Sequence, residues 1–308
     1  MPNAFSPGFS PDSDRPIPYM DRTRDFYRAI GFTVPYRWAS FAEVPFTPLH
    51  KTLAESCVAL ITTAAPFDPA KGDQGPGAPY NSAAKFFTVY SGDTAAEHDL
   101  RISHVTYDRT HTSAVDQASY FPLRALRDAV VAGRIGRVAA RFHGAPTNRS
   151  HRATITTDAP EIVRRSQEDG VDIAVLVPNC PVCHQTLSLV ARQLEAAGIP
   201  TVIMGCAKDI VEHCGVPRFL FSDFPLGNGA GKPGDRSTQD FTLGLALRVL
   251  ETAPGSRTTV QSPLRWADDA AWKLDFSNVD RIAPEELERQ RAEFLAQKAV
   301  AHAVRAAS

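Results

Sequence analysis

The chain has 308 residues, with 33 Lys+Arg against 34 Asp+Glu and a formal charge of −1 at pH 7. That length predicts one large α/β unit or two domains with a sizeable core. No stretch reads as a basic stripe and no apolar run reaches membrane-spanning length, which excludes nucleic acid and membrane as main partners; five cysteines without an export signal at Met1 predict a reducing, cytoplasmic setting.

Residues Met1 to Pro18 are rich in Pro, Ser and Asp and poor in aliphatics, so they are expected to form an arm suited to packing on a partner subunit. Asp21 to Gly31 reads as a short helix, and Tyr36, Trp38, Phe41 and Phe46 as a packing strip rather than a substrate cage. Val58 to Thr62 is the first core strand, followed by small hydroxyl residues of the kind that line ligand-facing edges and turns alike. The loop Asp68 to Tyr80 is of a length found in lids and, as often, in disordered loops.

Arg101 to Tyr107 is expected as a further strand. Its alternating Ile102, His104 and Thr106 oppose the helix that a metal site of His104, Asp108 and His111 requires. These three are instead candidates for the carboxyl edge of a sheet, where a histidine trades protons and a carboxylate orients it. Pro122 opens a helix carrying Leu123, Leu126, Val130 and Val131 and stopped by Gly133. Val138 to Phe142 is the next strand, with His143 to Arg149 as its exit loop. That loop lacks the G-x-G-x-x-G spacing, so no NAD or flavin is expected. Arg149 or Arg152 is suited to hold a substrate carboxylate. Glu161 to Asp169 is a helix ended by Gly170.

Val171 to Cys206 forms the centre of the chain. Ile173 to Val177 reads as a strand, Leu187, Val190, Ala191, Leu194 and Ala197 repeat at helical spacing before Gly198, and Thr201 to Met204 is a second strand. This is a βαβ unit with parallel strands, whose helix starts at the carboxyl edge of the sheet. Pro181 fits the first helical position, making Cys180 the N-cap and placing Cys183 in the first turn, where the helix dipole favours thiolate over thiol. The pattern is a candidate reactive dithiol, with buried structural cysteines as the alternative. The string Cys180-Pro-Val-Cys183-His184 also spells a haem-attachment pattern, which belongs with export. Cys180, Cys183, Cys206 and Cys214 can alternatively be written as a four-thiolate zinc site, although AKDIVEH separates the second pair.

Lys208 to His213 is a helical turn and Arg218 to Phe221 a strand, leaving through the glycine-rich Ser222 to Gly229. Gln239 to Leu250 reads as the closing helix. Trp266 and Trp272 sit in a loop before a charged helix from Pro284 to about Val304, expected to dock on the body or a neighbour.

The string CPVCHQT, followed by a helix and GIPT, resembles the selenoprotein B component of the glycine, sarcosine, betaine and D-proline reductases. KTLAESCVALITTAAPFD (Lys51 to Asp68), YFPLRALRDAVVAGRIG (Tyr120 to Gly136) and FSDFPLGNGAG (Phe221 to Gly231) extend the resemblance to about residues 30 to 235. In that family selenocysteine commonly occupies the position held here by Cys180, and this chain shows no pyruvoyl-generating segment. The resemblance implies an amino acid or N-methylated amine as substrate, reductive cleavage of a C–N bond, a thioredoxin-like electron donor and a homo- or hetero-oligomeric assembly.

The expected architecture is α/β with a parallel, Rossmann-like or flavodoxin-like sheet, either single or built as two related halves. Residues 1–50 form the arm and aromatic strip, 51–255 the α/β core, and 256–308 the C-terminal loop and helix. Cys180 is expected to attack a small polar substrate, Cys183 to resolve the adduct, and His184 to lower the thiol pKa or protonate the leaving group. His104, Asp108, His111, His143, Arg149 and Asn228 are the expected substrate-binding residues. No cofactor beyond the dithiol is expected; the alternative is a non-catalytic or zinc-binding subunit of a larger assembly.

Overall fold

The computed structural model describes residues 14–73, 81–104 and 106–307. In chain order the elements are α1 (Tyr19–Ala29), β1 (Cys57–Thr62), β2 (Ala65–Pro66), β3 (Tyr90–Asp93), β4 (Leu100–Arg101), α2 (Leu123–Val131), β5 (Arg137–Val138), β6 (Arg141–Gly144) and α3 (His151–Ala153). They continue with α4 (Ala159–Glu168), β7 (Ile173–Val177), α5 (Pro181–Ala196), β8 (Thr201–Gly205), α6 (Lys208–Cys214), β9 (Arg218–Phe221), α7 (Arg236–Thr252), β10 (Thr258–Gln261) and α8 (Pro284–Ala307). One continuous sheet, rather than two halves, runs in the order β10-β9-β8-β7-β1-β6-β3, with β5 also paired to β1. All its pairings are parallel except that of β3 with β6.

The strands β1 and β7 are buried on both faces, as expected for parallel strands covered by helices. Successive residues feed opposite cores: Val58, Leu60, Ile173, Val175 and Val177 pack towards α2 and α7, while Ala59, Ile61, Ala174 and Leu176 pack against α5 and α4. The chain leaves β1 for β6 on one side and leaves β7 for β8 on the other. The carboxyl ends of β1 and β7 therefore flank a topological switch point, where open α/β sheets leave a crevice for ligands.

The far end of α5 is held by a buried polar knot. Glu195 Oε1 accepts from Arg218 Nη1 at 2.8 Å and from the Thr201 backbone at 2.6 Å, and Oε2 accepts from the Thr47 backbone at 2.6 Å. Arg218 also donates to the Thr47 carbonyl at 2.8 Å and lies 4.1 Å from the centre of the Phe46 ring. Burial raises the Glu195 pKa and lowers that of Arg218, so desolvation works against both charges and the knot acts mainly to set position.

Several expectations are corrected. Arg101 to Tyr107 is not a core strand: Leu100–Arg101 pairs antiparallel with Ala65–Pro66 in a separate ribbon, and the rest is irregular. It finds no place beside β1, whose two sides are taken by β5, β6 and β7. Val105, within that segment, lies outside the described residues. The edge strand β3 went unforeseen; it fits because position 144 is glycine, where a Cβ would lie 1.8 Å from the Tyr90 ring. The helix expected from Glu161 begins earlier, through α3 and a π-helical turn at Thr154–Asp158.

Most of the arm, residues 1–13, and residues 74–80 of the Asp68 to Tyr80 loop lie outside the described residues. The described end of the arm packs on its own chain, with Asp14 paired to Lys273 at 3.1 Å and Ile17 in the core. The aromatic strip crosses α5 and neighbouring arginines: Tyr36 accepts from Gln185, and Phe41 lies under Arg192. The helix α8 docks on the body through Phe294 against Tyr27 and Phe32, and Gln297 accepts from Ser82. Among the described residues no helix is long and apolar enough to cross a membrane.

Replacing Arg218 by Met strands a buried carboxylate and should cost about 3–5 kcal/mol in urea unfolding, whereas the double replacement Arg218→Met with Glu195→Leu should recover most of that loss. Equal loss in both would mean the knot contributes through packing alone.

Candidate functional site

The site is built where β7 hands over to α5. Beyond Val177 the chain turns at Pro178-Asn179, and the Asn179 backbone donates to Thr63 Oγ1 at 3.2 Å, tying this turn to the exit of β1. Thr62 Oγ1 accepts from Ala64 at 3.0 Å, so the hydroxyls at this edge build turns. Cys180 is extended, with φ −130° and ψ 170°, and caps α5; Pro181 follows as the first helical residue. Its sulfur accepts the Cys183 backbone N–H at 3.2 Å, satisfying one of the donors left open at a helix start. Cys180 and Cys183 are joined as a disulfide, with Cα atoms 4.9 Å apart.

His184 is fully buried one residue further on, and both its ring nitrogens are engaged. Nδ1 lies 2.8 Å from the Cys180 carbonyl, and Nε2 accepts from the backbone N–H groups of Cys206 at 2.9 Å and Ala207 at 3.2 Å. Two donors on Nε2 leave it no proton, so Nδ1 carries the hydrogen and donates it to the carbonyl. Burial lowers the pKa to about 4, keeping the ring neutral at pH 7. The expected acid and thiol-activating role of His184 is therefore corrected: it is a brace between the start of α5 and the end of β8. A Cβ at position 205 would lie 2.6 Å from Nε2, which makes Gly205 part of that brace.

Cys180 is 4% exposed and opens on a cavity of about 20 Å³ shared with Lys85, Ser103, His104, Thr106, Thr147, Arg149 and Val182. That volume is enough for about one water molecule. His104 reaches the cavity from a loop. Its Nε2 is 2.9 Å from Thr147 Oγ1, its carbonyl accepts from Arg109 at 2.6 Å, and its buried Nδ1 has no hydrogen-bond partner among the described residues. Donor atoms of His104, Cys180 and Cys183 lie within 4.8 Å of one another. Burial, followed by repulsion from Lys85, Arg109 and Arg149, lowers the His104 pKa to about 3, so it is neutral at pH 7. Burial and the neighbouring Arg149 and Arg305 lower Lys85 to about 8. The cavity thus combines a neutral imidazole with two cationic side chains, a setting that favours an anion beside the sulfurs. Arg149 and Val182 also wall a larger pocket of about 520 Å³.

The other expected residues go elsewhere. Asp108 accepts from the backbone N–H groups of Thr110 and His111 and lies 3.1 Å from His111 Nδ1, while His111 Nε2 faces Asp275 at 3.5 Å. Asn228 donates to Thr112 Oγ1 at 2.8 Å and to the Pro225 carbonyl at 3.1 Å. These residues knit the 108–112 and 225–228 loops together. His143 is buried beneath α4, with Nδ1 2.9 Å from Ser91 Oγ and Nε2 3.7 Å from Asp169, and burial lowers its pKa to about 4. The four-thiolate grouping is not assembled. Cys206 turns towards the backbone amides of Asn228 and Phe224, and Cys214 towards Ser188; burial raises both thiol pKa values, that of Cys214 to about 12. Lys85, Ser103 and Thr147 were missed, since no local pattern marks a lone lysine before Phe86-Phe87 or a threonine in an exit loop.

No protein-family model matches the chain, and no solved structure matches it. Curated relatives do. The D-proline reductase subunit gamma of Acetoanaerobium sticklandii is 30% identical over 223 residues, covering 72% of this chain and 89% of that protein. The glycine reductase complex component B subunit gamma of Symbiobacterium thermophilum is 27% identical over 238 residues, 75% of this chain and 54% of the relative. The sarcosine reductase complex component B subunit beta of Peptoclostridium acidaminophilum is 24% identical over 245 residues, 75% and 53%. The chain thus spans most of the first relative and about half the length of the other two.

Proposed function

This chain belongs to the family of the D-proline reductase gamma and glycine reductase component B subunits, and on that premise we propose that it is the thiol-bearing subunit of an amino-acid reductase. In this reading the Cys180-Cys183 pair cleaves a C–N bond of an amino-acid carboxylate or an N-methylated amine. The observation that carries it is the dithiol pair at the start of α5, facing a cavity with Lys85 and Arg149.

Lys85 and Arg149 hold the carboxylate, and the Cys180 thiolate displaces the amine: a C–S bond forms as C–N breaks, and the amine departs with a proton. The Cys183 thiolate then attacks the Cys180 sulfur, forming S–S as S–C breaks, and the released carbon takes a proton. The substrate gains two electrons and the dithiol loses two. Charge building on the carbon spreads into the carboxylate, where the same two cations oppose it. His104, neutral and with Nδ1 open, is suited to accept a hydrogen bond from a thiol or an ammonium group; its low pKa makes it a poor proton store. A thioredoxin-like dithiol protein restores the reduced form. The complexes named for the relatives support a role within a hetero-oligomer, with the electron donor and the cytoplasm as part of the same proposal.

A second reading rests on the 4.8 Å grouping of His104, Cys180 and Cys183. After reduction, two thiolates and an imidazole suit a thiophilic ion such as zinc, making the chain an assembly component. Lys85 and Arg149 oppose a cation there, which favours the first reading.

With a reduced dithiol, Cys180→Ser should abolish turnover, and Cys183→Ser should stop after one equivalent with the substrate carbon attached to Cys180, read by mass spectrometry of that peptide; full turnover by either variant would sink the mechanism. The alkaline limb of kcat/KM should fall as pH rises through about 8 while Lys85 loses its proton, and Lys85→Arg should move that limb upward. Metal analysis of the reduced protein should find far less than one zinc per chain; a full equivalent that blocks thiol alkylation would install the second reading.

A further inference from the structure

The relatives are named for reductases of proline, glycine and sarcosine, small molecules that leave most of a pocket empty. The larger pocket, walled by Val182 from the first turn of α5, is of another size. At about 520 Å³ it falls within the ~300–1,000 Å³ span of sites for drug-sized ligands. It shares two wall residues with the dithiol cavity, Arg149 and Val182, the latter between Pro181 and Cys183.

Its walls are aromatic. Tyr27, Phe32 and Phe294 meet edge to face with ring centres 5.0–6.3 Å apart, and Tyr36 closes the side nearest α5. An aromatic box of this kind can bind quaternary ammonium groups, but here the protein's own cations occupy that role. Arg149 lies 5.9 Å from the Tyr27 ring centre and 5.8 Å from that of Phe294, and Lys298 lies 5.2 Å from that of Phe32. Arg37 adds a third positive charge, and among the described residues the lining contains no carboxylate. Arg149 sits at the junction in a left-handed conformation, φ +54°, which a side chain of its kind rarely adopts. Its guanidinium donates to the Tyr27 hydroxyl at 3.3 Å, and the residue also lines the cavity of Cys180.

We propose that the substrate is an amino-acid carboxylate with a bulky apolar or aromatic body, its carboxylate held at Arg149 and Lys85 and its body in the pocket between α1 and α8. This rests on the reductase reading and deepens it. The specificity walls, Tyr27 on α1 and Phe294 and Lys298 on α8, lie outside the stretch of about residues 30 to 235 that carries the family resemblance. Part of the wall that sets substrate size therefore comes from outside that stretch, and part, with Phe32 and Tyr36, from within it.

The test is calorimetric binding to the full-length Cys180→Ser, Cys183→Ser protein, which cannot turn over. N-methylphenylalanine should bind at least tenfold tighter than sarcosine, which shares its N-methyl amino-acid head, and at least tenfold tighter than N-methylphenethylamine, which lacks the carboxylate. Phe294→Ala should shrink the first preference about tenfold. Should that variant fail to fold, Val34→Trp, at an exposed position on the rim, should shrink it by filling the pocket. Equal binding of sarcosine, or a preference untouched by both variants, overturns the assignment. Equal binding of the amine without a carboxylate overturns the anionic half of it. Failure of the reductase reading shows separately, as a wild-type dithiol that neither amino acid oxidises while the binding preference stands.

Discussion

The neutral imidazole of His184 is the contact on which the site depends. It donates to the carbonyl of Cys180 and accepts from the first two backbone N–H groups beyond β8, so one ring fixes the start of α5 against the neighbouring strand. Protonation would put a hydrogen between Nε2 and those donors, and burial prevents it by holding the pKa near 4. Gly205 permits the approach, and the knot around Glu195 and Arg218 anchors the other end of the same helix. Cys180 is thus held between two fixed points rather than carried on a mobile loop.

Around that rigid sulfur the electrostatics follow from burial and from loops that meet it from distant parts of the chain. His104 comes from an irregular segment, Thr147 and Arg149 from the exit of β6, and Lys85 from the turn before β3. Burial strips the imidazole of its charge and weakens that of the lysine, leaving a cavity that is positive without holding a proton on His104. A helix N-terminus, an arginine and a lysine on one side of a sulfur pair all act in the same sense, towards thiolate and towards a bound anion. This agreement among independent elements weighs more than any one of them.

Much of this was legible beforehand. The β-branched run at Ile173 to Val177, the helical repeat after it and the Gly198 stop were enough to place a strand, a helix and their parallel partner. Pro181 located the N-cap to the residue, and the CPVC string carried the family resemblance that the relatives bear out. These are local signals, set by periodicity over one or two turns and by the backbone limits of proline and glycine.

The roles of the histidines were of a different kind. His143, His104 and His184 each follow or interrupt an apolar run, and nothing local distinguishes a brace from a buried structural residue or from a wall of the cavity. That distinction came from which backbone groups lay opposite each ring after the sheet had formed. The same holds for Lys85, whose place beside Cys180 depends on packing across nearly a hundred residues of chain. By itself the sequence determined the sulfur pair, its helix and the strands that carry it, because those depend on neighbours within a few residues. Only the tertiary structure decided what faces the sulfurs and how large the adjoining pocket is, because both arise where separate loops and the terminal helices meet.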